Sequence, residues 1–166
     1  KMSFVSRETA NAAKIYNQML KDKDCTIFLT LAGSTSAAGC MHIYRDMVKY
    51  NMVDAIVATG ASIIDMDFFE ALGFKHYQGS QFQDDTELRK NYIDRIYDTY
   101  IDEDELQICD KKICEIADGL DPRNYTSREF IHEMGKYLKK NSIKKDSLIE
   151  TAFDHNVPIF LSLIHI

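Results

Sequence analysis

The chain has 166 residues, which suits one domain of ordinary size, and 45% of them are apolar, which is enough to form a core. The formal net charge of −6 gives the chain no electrostatic reason to bind nucleic acid or an anionic membrane. No apolar run reaches the length of a membrane helix and no basic-then-apolar leader opens the sequence, which predicts a cytoplasmic protein. The 4 cysteines lack the spacing of a zinc site, so no metal is predicted.

The first half of the chain predicts two strand-then-helix units. An amphipathic helix capped by Ser6 precedes them. The runs 25–32 and 53–59 are apolar on both faces and rich in β-branched residues, which predicts strands that are covered on both sides. The first strand leads into a helix that ends near Tyr50, and the second is followed by a short helix at 67–73.

The second half of the chain predicts four helices and then a third strand. The helices are expected at 84–100, 102–120 and 126–140 and from Asp146 or Ser147 to Asn156, and the strand at 157–160. Buried strands that alternate with helices are typical of an α/β fold, here a Rossmann-like parallel sheet with flanking helices. Three strands are few for such a sheet, so we expect the fold to be incomplete.

Small residues follow each of the first two predicted strands. Ser34 and Thr35 lie in the first of these turns, and Thr59, Gly60 and Ala61 form the second. Ligands of open parallel sheets bind beyond the carboxyl ends of the strands, where small side chains let a ligand approach the backbone. The residues alone favour a phosphate- or ribose-binding site and a pair of tight connecting turns about equally.

Acidic residues near the second turn are further candidates. The G-x-G-x-x-G fingerprint of dinucleotide-binding proteins is absent, and Asp54 lies at the start of the second strand, the wrong end to contact a ribose. Asp65 is the last residue of the predicted turn at 60–65 and could accept from ribose hydroxyls or a polyamine nitrogen, although a solvated loop acid is the simpler reading. Asp67 is better placed as the cap of the short helix.

Four segments carry a resemblance to a known family. They are "CTIFLTLAGSTSAAG", "NMVDAIVATGASIIDMDFFEALGFKHYQG", "ELRKNYIDRIYDTYID" and "FIHEMGKYL". Together they are similar, in order and spacing, to the deoxyhypusine synthase family over a span from about Phe4 to Phe160. The form of "DFFEALGFKHYQG" resembles the bacterial members more than the eukaryotic enzyme.

The resemblance implies an NAD-dependent transfer of an aminobutyl group from spermidine to an acceptor amine. In deoxyhypusine synthases the acceptor is a lysine of a translation factor precursor, the site of hypusine formation. In similar homospermidine synthases the acceptor is putrescine. The family also implies a homotetramer. A non-catalytic chain that binds a nucleotide or a partner remains the alternative from another class.

The resemblance also assigns roles to the two turns. It implies that Ser34 and the neighbouring Thr35 contact the cofactor, together with the second turn at 59–61, and it aligns Asp65 with an acid near cofactor and substrate. The family's catalytic lysine lies in a later half that this sequence does not contain, so no catalytic residue is assigned here. We therefore expect 1–160 to be the N-terminal part of a single NAD-binding domain, 161–166 to be unrelated to the family, and the fragment itself to be inactive.

Overall fold

The computed structural model describes residues 3–33 and 35–162. Ser34, one of the predicted cofactor contacts, and residues 163–166, most of the stretch predicted to be unrelated to the family, lie outside the described residues.

Helical segments occupy much of the described chain. The α-helices are Val5–Met19 (α1), Met41–Lys49 (α2), Gly60–Ser62 (α3), Phe69–Ala71 (α4), Asp85–Lys90 (α5), Glu103–Asp118 (α6), Ser127–Asn141 (α7) and Leu148–Asp154 (α8). Two segments have the wider π-helical turn, Ser36–Cys40 (π1) and Ile63–Phe68 (π2). The strands are Phe28–Leu31 (β1), Ala55–Ala58 (β2), Tyr77–Gln78 (β3), Ile93–Ile96 (β4), Thr99–Asp102 (β5) and Ile159–Leu161 (β6).

A parallel sheet forms the centre of the fold. Its strand order is β1-β2-β6, with Phe28 paired to Ala55 and Ile56 paired to Ile159. Ile56 in the middle strand is fully buried, as expected for a strand covered on both faces. The predicted α/β class, the parallel sheet and its flanking helices are therefore confirmed.

The predicted helix at 84–100 is wrong beyond its first turns. Helix α5 ends at Lys90, and the chain then forms the hairpin of β4 and β5, which together with β3 makes a small antiparallel sheet. The prediction rested on apolar residues spaced by four, and residues four apart share a face of a strand as well as of a helix. The β-branched and aromatic side chains in this stretch favour the strand.

The region after β2 also differs from the prediction. The expected turn at 60–65 is helical, because α3, π2 and α4 follow one another without interruption from Gly60 to Ala71. We call this run the 60–71 segment. Asp67 lies inside it and so does not cap it. At the N-terminus, α1 already begins at Val5, so Ser6 is a residue of the helix and not its cap.

Several predicted helix starts are confirmed. Thr126 and Glu129 form a capping box at the start of α7, and the Ser147 side chain caps α8 by accepting from the Glu150 amide. Helix α6 begins after Asp102, whose carboxylate accepts from two amides of the first turn.

The core lies between the sheet, the 60–71 segment and helices α6, α7 and α8. Its largest fully buried side chains include Phe68, Phe69, Met134 and Leu138. Helix α1 contrasts with this core because none of its residues is buried. Its C-terminal part is attached to the rest through Tyr16, whose hydroxyl donates to the Met52 carbonyl over 2.6 Å.

Candidate functional site

The two small-residue turns meet at the carboxyl ends of β1 and β2. The buried Ser62 hydroxyl donates to the Gly33 carbonyl over 2.6 Å. In the opposite direction, the Ser36 hydroxyl donates to the Ser62 carbonyl over 3.2 Å. These two bonds join the turns into one surface at the edge where parallel sheets bind ligands.

Ser62 is the residue that organises this junction, although the sequence offered no reason to nominate it above its neighbours. It is fully buried, and its hydroxyl also receives a hydrogen bond from the Thr59 hydroxyl over 3.4 Å. The one feature of the sequence that could have indicated Ser62 is that it is a small polar residue shortly after a buried strand. The Ser36 and Ser62 hydroxyls therefore join one turn to the other, which leaves the backbone, the Thr35 hydroxyl and the acceptor side of the Thr59 hydroxyl to contact a ligand.

The backbone of both turns is open to approach. A Cβ atom added at Gly60 would meet nothing within 4 Å, and the same holds at Gly33, whose φ of +66° suits glycine. Gly60 and Ala61 are half-buried and begin the 60–71 segment, so their amides have no acceptor within the helix. Such amides favour an anionic group such as a phosphate.

The predicted contacts of the first turn are less enclosed. Thr35 is exposed and immediately precedes π1, and Gly39 bends that segment through a left-handed φ of 87°. Thr59, at the end of β2, is half-buried. The structure thus brings Thr35 and 59–61 to one edge of the sheet.

Asp65 lies one helical turn further along, in π2, and interacts with α6. It is half-buried, and burial first and the Asp110 carboxylate second raise the pKa of Asp65. The neighbouring Cys109 thiol donates weakly to the Ile64 carbonyl, and burial raises its pKa to about 12. Among the described residues, burial and Asp110 thus both disfavour the charge of Asp65, which suits a cationic or hydrogen-bond-donating partner.

Asp54 lies at the opposite end of the sheet, as its position in the sequence indicated. Its carboxylate accepts from the Ile27 amide over 2.7 Å, which ties the start of β2 to the segment before β1. Asp54 thus has a structural role and does not reach the turns at the carboxyl edge.

Other features of the described residues lie apart from the two turns. Within 3–33 and 35–162, no group of three or more His, Cys, Asp or Glu side chains is arranged to hold a metal ion. The helices described in those ranges include none that is long and apolar enough to cross a membrane. A groove of about 660 Å³ between α7, α8 and the start of β6 is lined by residues other than the two turns.

Comparison with known proteins decides the family. The family model described as deoxyhypusine synthase matches residues 1–165. The chain belongs to the deoxyhypusine synthase family. Among its relatives are the deoxyhypusine synthase-like proteins of Coxiella burnetii, 66% identical over 96% of this chain and 46% of that protein, and of Caulobacter vibrioides, 67% identical over 96% and 44%.

Less similar members of the deoxyhypusine synthase family also match this chain. The probable deoxyhypusine synthase 2 of Methanosarcina acetivorans is 38% identical over 97% of this chain and 46% of that protein. The crystal structure of a putative deoxyhypusine synthase from Entamoeba histolytica superposes with a TM-score of 0.63 at 22% identity, covering 92% of this chain and 51% of the other, which supports the fold. The chain spans about half the length of the curated relatives that it matches.

Proposed function

We propose that this chain forms the cofactor-binding half of a longer deoxyhypusine synthase-like transferase. The full-length protein would use NAD to transfer an aminobutyl group from spermidine to an acceptor amine, a lysine of a translation factor precursor. The observation that carries this proposal is the junction of the two open turns at the carboxyl edge of a parallel sheet, in a chain of this family.

The residues at this junction fit the chemistry of NAD. The amides of Gly60 and Ala61 suit a phosphate, the Thr35 hydroxyl suits a phosphate or ribose oxygen, and the Thr59 oxygen can accept from a ribose hydroxyl. Ser34 stays a cofactor contact that the resemblance implies. Asp65 would accept from a ribose hydroxyl or from a protonated polyamine nitrogen. When bound, NAD supplies a hydride acceptor and donor, and these residues would hold and orient it.

The charge of the chain agrees with a cationic substrate. The net charge is −6, and the half-buried Asp65 lies beside a second acid, Asp110. A polyamine ammonium group placed there would offset the repulsion between the two carboxylates and lower the pKa of Asp65. We assign the catalytic lysine to the part of the longer protein that this chain does not match, so the 166-residue fragment should be inactive.

We also propose that the full-length protein assembles as a homotetramer. The unburied helix α1 supports this, because it exposes Val5 and Ile15 to solvent in the single chain. Light scattering on the full-length protein tests it, and a monomer would contradict it.

The decisive experiment uses the full-length protein with spermidine and NAD. We expect NAD-dependent transfer of an aminobutyl group to the precursor protein. Transfer to putrescine instead would assign the homospermidine synthase reaction, and binding of NAD without any transfer would assign a non-catalytic nucleotide-binding protein. Absence of both NAD binding and transfer would overturn the proposal.

Two glycine-to-alanine substitutions test whether NAD binds at the second turn. Gly60→Ala adds a methyl group where the protein itself has space, so the fold should be retained while NAD binding weakens. Gly119→Ala is the matched control, because Gly119 ends α6 and an added Cβ would make only ordinary contacts of 3.5 Å with backbone oxygens. Calorimetry with NAD compares the two, and equal affinities would place the cofactor elsewhere.

A further inference from the structure

Asp67 connects two helices that are far apart in the sequence. Its side chain is fully buried in π2, and its two carboxylate oxygens accept from the amides of Leu148 and Ile149, each over 2.8 Å. Those amides belong to the first turn of α8, where backbone donors have no partner within the helix. Asp67 therefore caps α8 from a residue that lies 81 positions earlier.

Helix α8 does not depend on Asp67 alone for its start. The Ser147 hydroxyl accepts from the Glu150 amide over 3.0 Å, which is an ordinary cap from within the same stretch. Unlike Ser147, Asp67 connects two parts of the chain, because its hydrogen bonds join α8 to the 60–71 segment. Helix α8 also packs against α2, so the helical stretches that follow both turns rest on it.

The position of Asp67 in the 60–71 segment relates it to the candidate site. It lies six residues after Ala61 and two after Asp65, in one continuous helical run. Two hydrogen bonds to one carboxylate fix both the position and the rotation of that run about its axis. An apolar side chain at the same place would avoid the cost of burying a charge, but it would not impose that rotation.

We propose that Asp67 is a positioning residue for the second turn. Its carboxylate locks the 60–71 segment onto α8 and so holds Thr59, Gly60 and Ala61 in the geometry that their ligand requires. This inference rests on the proposed function of that turn as a cofactor contact, while the lock itself is independent of it.

The test compares two variants of the full-length protein. Asp67→Asn keeps the size of the side chain but places an NH₂ group against one of the two amide donors. Ser147→Ala removes the other cap of α8 and leaves the 60–71 segment untouched. Amide hydrogen exchange should rise at 59–66 in Asp67→Asn, whereas Ser147→Ala should raise it in α8 only.

The functional readout is the affinity for NAD. We expect Asp67→Asn to raise the KM for NAD about tenfold or more, with the KM for spermidine unchanged, and Ser147→Ala to leave both unchanged. Normal NAD affinity in Asp67→Asn, or equal exchange at 59–66 in the two variants, would overturn the inference. If Asp67→Asn does not fold, Asp67→Ser takes its place in the same comparison. Wild-type protein without NAD affinity would instead overturn the proposed function, and the exchange data would still decide whether the lock exists.

Discussion

The two strand-then-helix units that form the candidate site are built to different degrees of rigidity. The second unit, β2 with the 60–71 segment, is bonded to strands on both sides and contributes the fully buried Phe68 and Phe69. The first unit, β1 with π1 and α2, lies at an edge of the described sheet, and Phe28 in its strand is 60% exposed. The second unit is thus held on both sides, and the turn of the first unit is joined to it through the hydrogen bonds of Ser62.

This difference bears on how a ligand would be held. The second unit has a π-helical stretch, Ile63–Phe68, inside its helical run, a feature that is frequent at functional sites, whereas the first unit is bent at Gly39 before α2 begins. The bonds between Ser62, Gly33 and Ser36 are few, so the first turn has room to adjust when a ligand arrives. We therefore expect the second turn to set the position of a bound ligand and the first turn to close on it.

The largest expected contrast comes from a pair of identical substitutions. Phe68→Ala empties a fully buried site and should lower the free energy of unfolding by about 3–5 kcal/mol. Phe28→Ala removes a largely exposed ring and should change it by less than about 0.5 kcal/mol. Urea unfolding of both variants measures the difference. Similar losses would mean that the two units are equally part of the core.

A second contrast is in the response to pH. Burial and, to a smaller extent, the nearby Glu70 carboxylate raise the pKa of Asp67 to about 6. The hydrogen bonds from the Ile149 and Leu148 amides and the charge of Lys144 lower the pKa but do not cancel the effect of burial. Because the folded state then binds its proton more tightly than the unfolded chain, stability should fall by about 1.4 kcal/mol per pH unit as pH rises from about 4 to about 6.

Asp67→Asn should remove that component of the pH dependence. The measurement is the difference in unfolding free energy between wild type and variant at pH 4, 5 and 6, which cancels the other carboxyl groups of the chain. A difference that does not change with pH would show that Asp67 titrates at its ordinary pKa.

The link between the two units should be weaker than the core. Ser62→Ala removes the donor to the Gly33 carbonyl, and we expect it to cost about 1–2 kcal/mol. Hydrogen exchange should rise around Gly33 and leave β2 unaffected if the first unit depends on the second. Equal increases in both strands would contradict that order of dependence.

The smallest contrast compares two glycines. Gly39 has a φ of 87°, so Gly39→Ala should cost about 1 kcal/mol through backbone strain. The chain at Gly60 does not adopt a left-handed φ, so Gly60→Ala should stay within about 0.5 kcal/mol of wild type. Thermal unfolding measures the loss of stability in both variants. A larger loss in Gly60→Ala than in Gly39→Ala would contradict the prediction that the strain lies at Gly39.

Local patterns accounted for much of the fold. The three parallel strands follow from short apolar runs, and Thr126 caps its helix as predicted, because these signals act over a few residues. Of the two predicted starts of α8, Asp146 and Ser147, the structure has Ser147 as the cap. The hairpin at 93–102 did not follow, since a spacing of four fits helix and strand alike. The pairing of Asp67 with α8 depends on residues 81 positions away, which no local pattern specifies.

The candidate site could likewise be predicted only in part from the sequence. The carboxyl ends of two predicted strands indicated the turns, and their junction through Ser62 required the three-dimensional register of β1 and β2. Asp65 was expected beside the second turn. It lies on the helical run after that turn and interacts with Asp110, because the expected turn is itself helical.

The attachment of α1 through Tyr16 predicts where a protease would cleave the chain. The helix is 15 residues long, none of them buried, and such a length is marginal in water without packing. The Tyr16 hydroxyl fastens its last turns to the Met52 carbonyl, so unwinding should begin at Val5 and stop before Tyr16. A protease added in traces to the single chain would therefore trim this end stepwise and leave a resistant remainder that starts close to Tyr16.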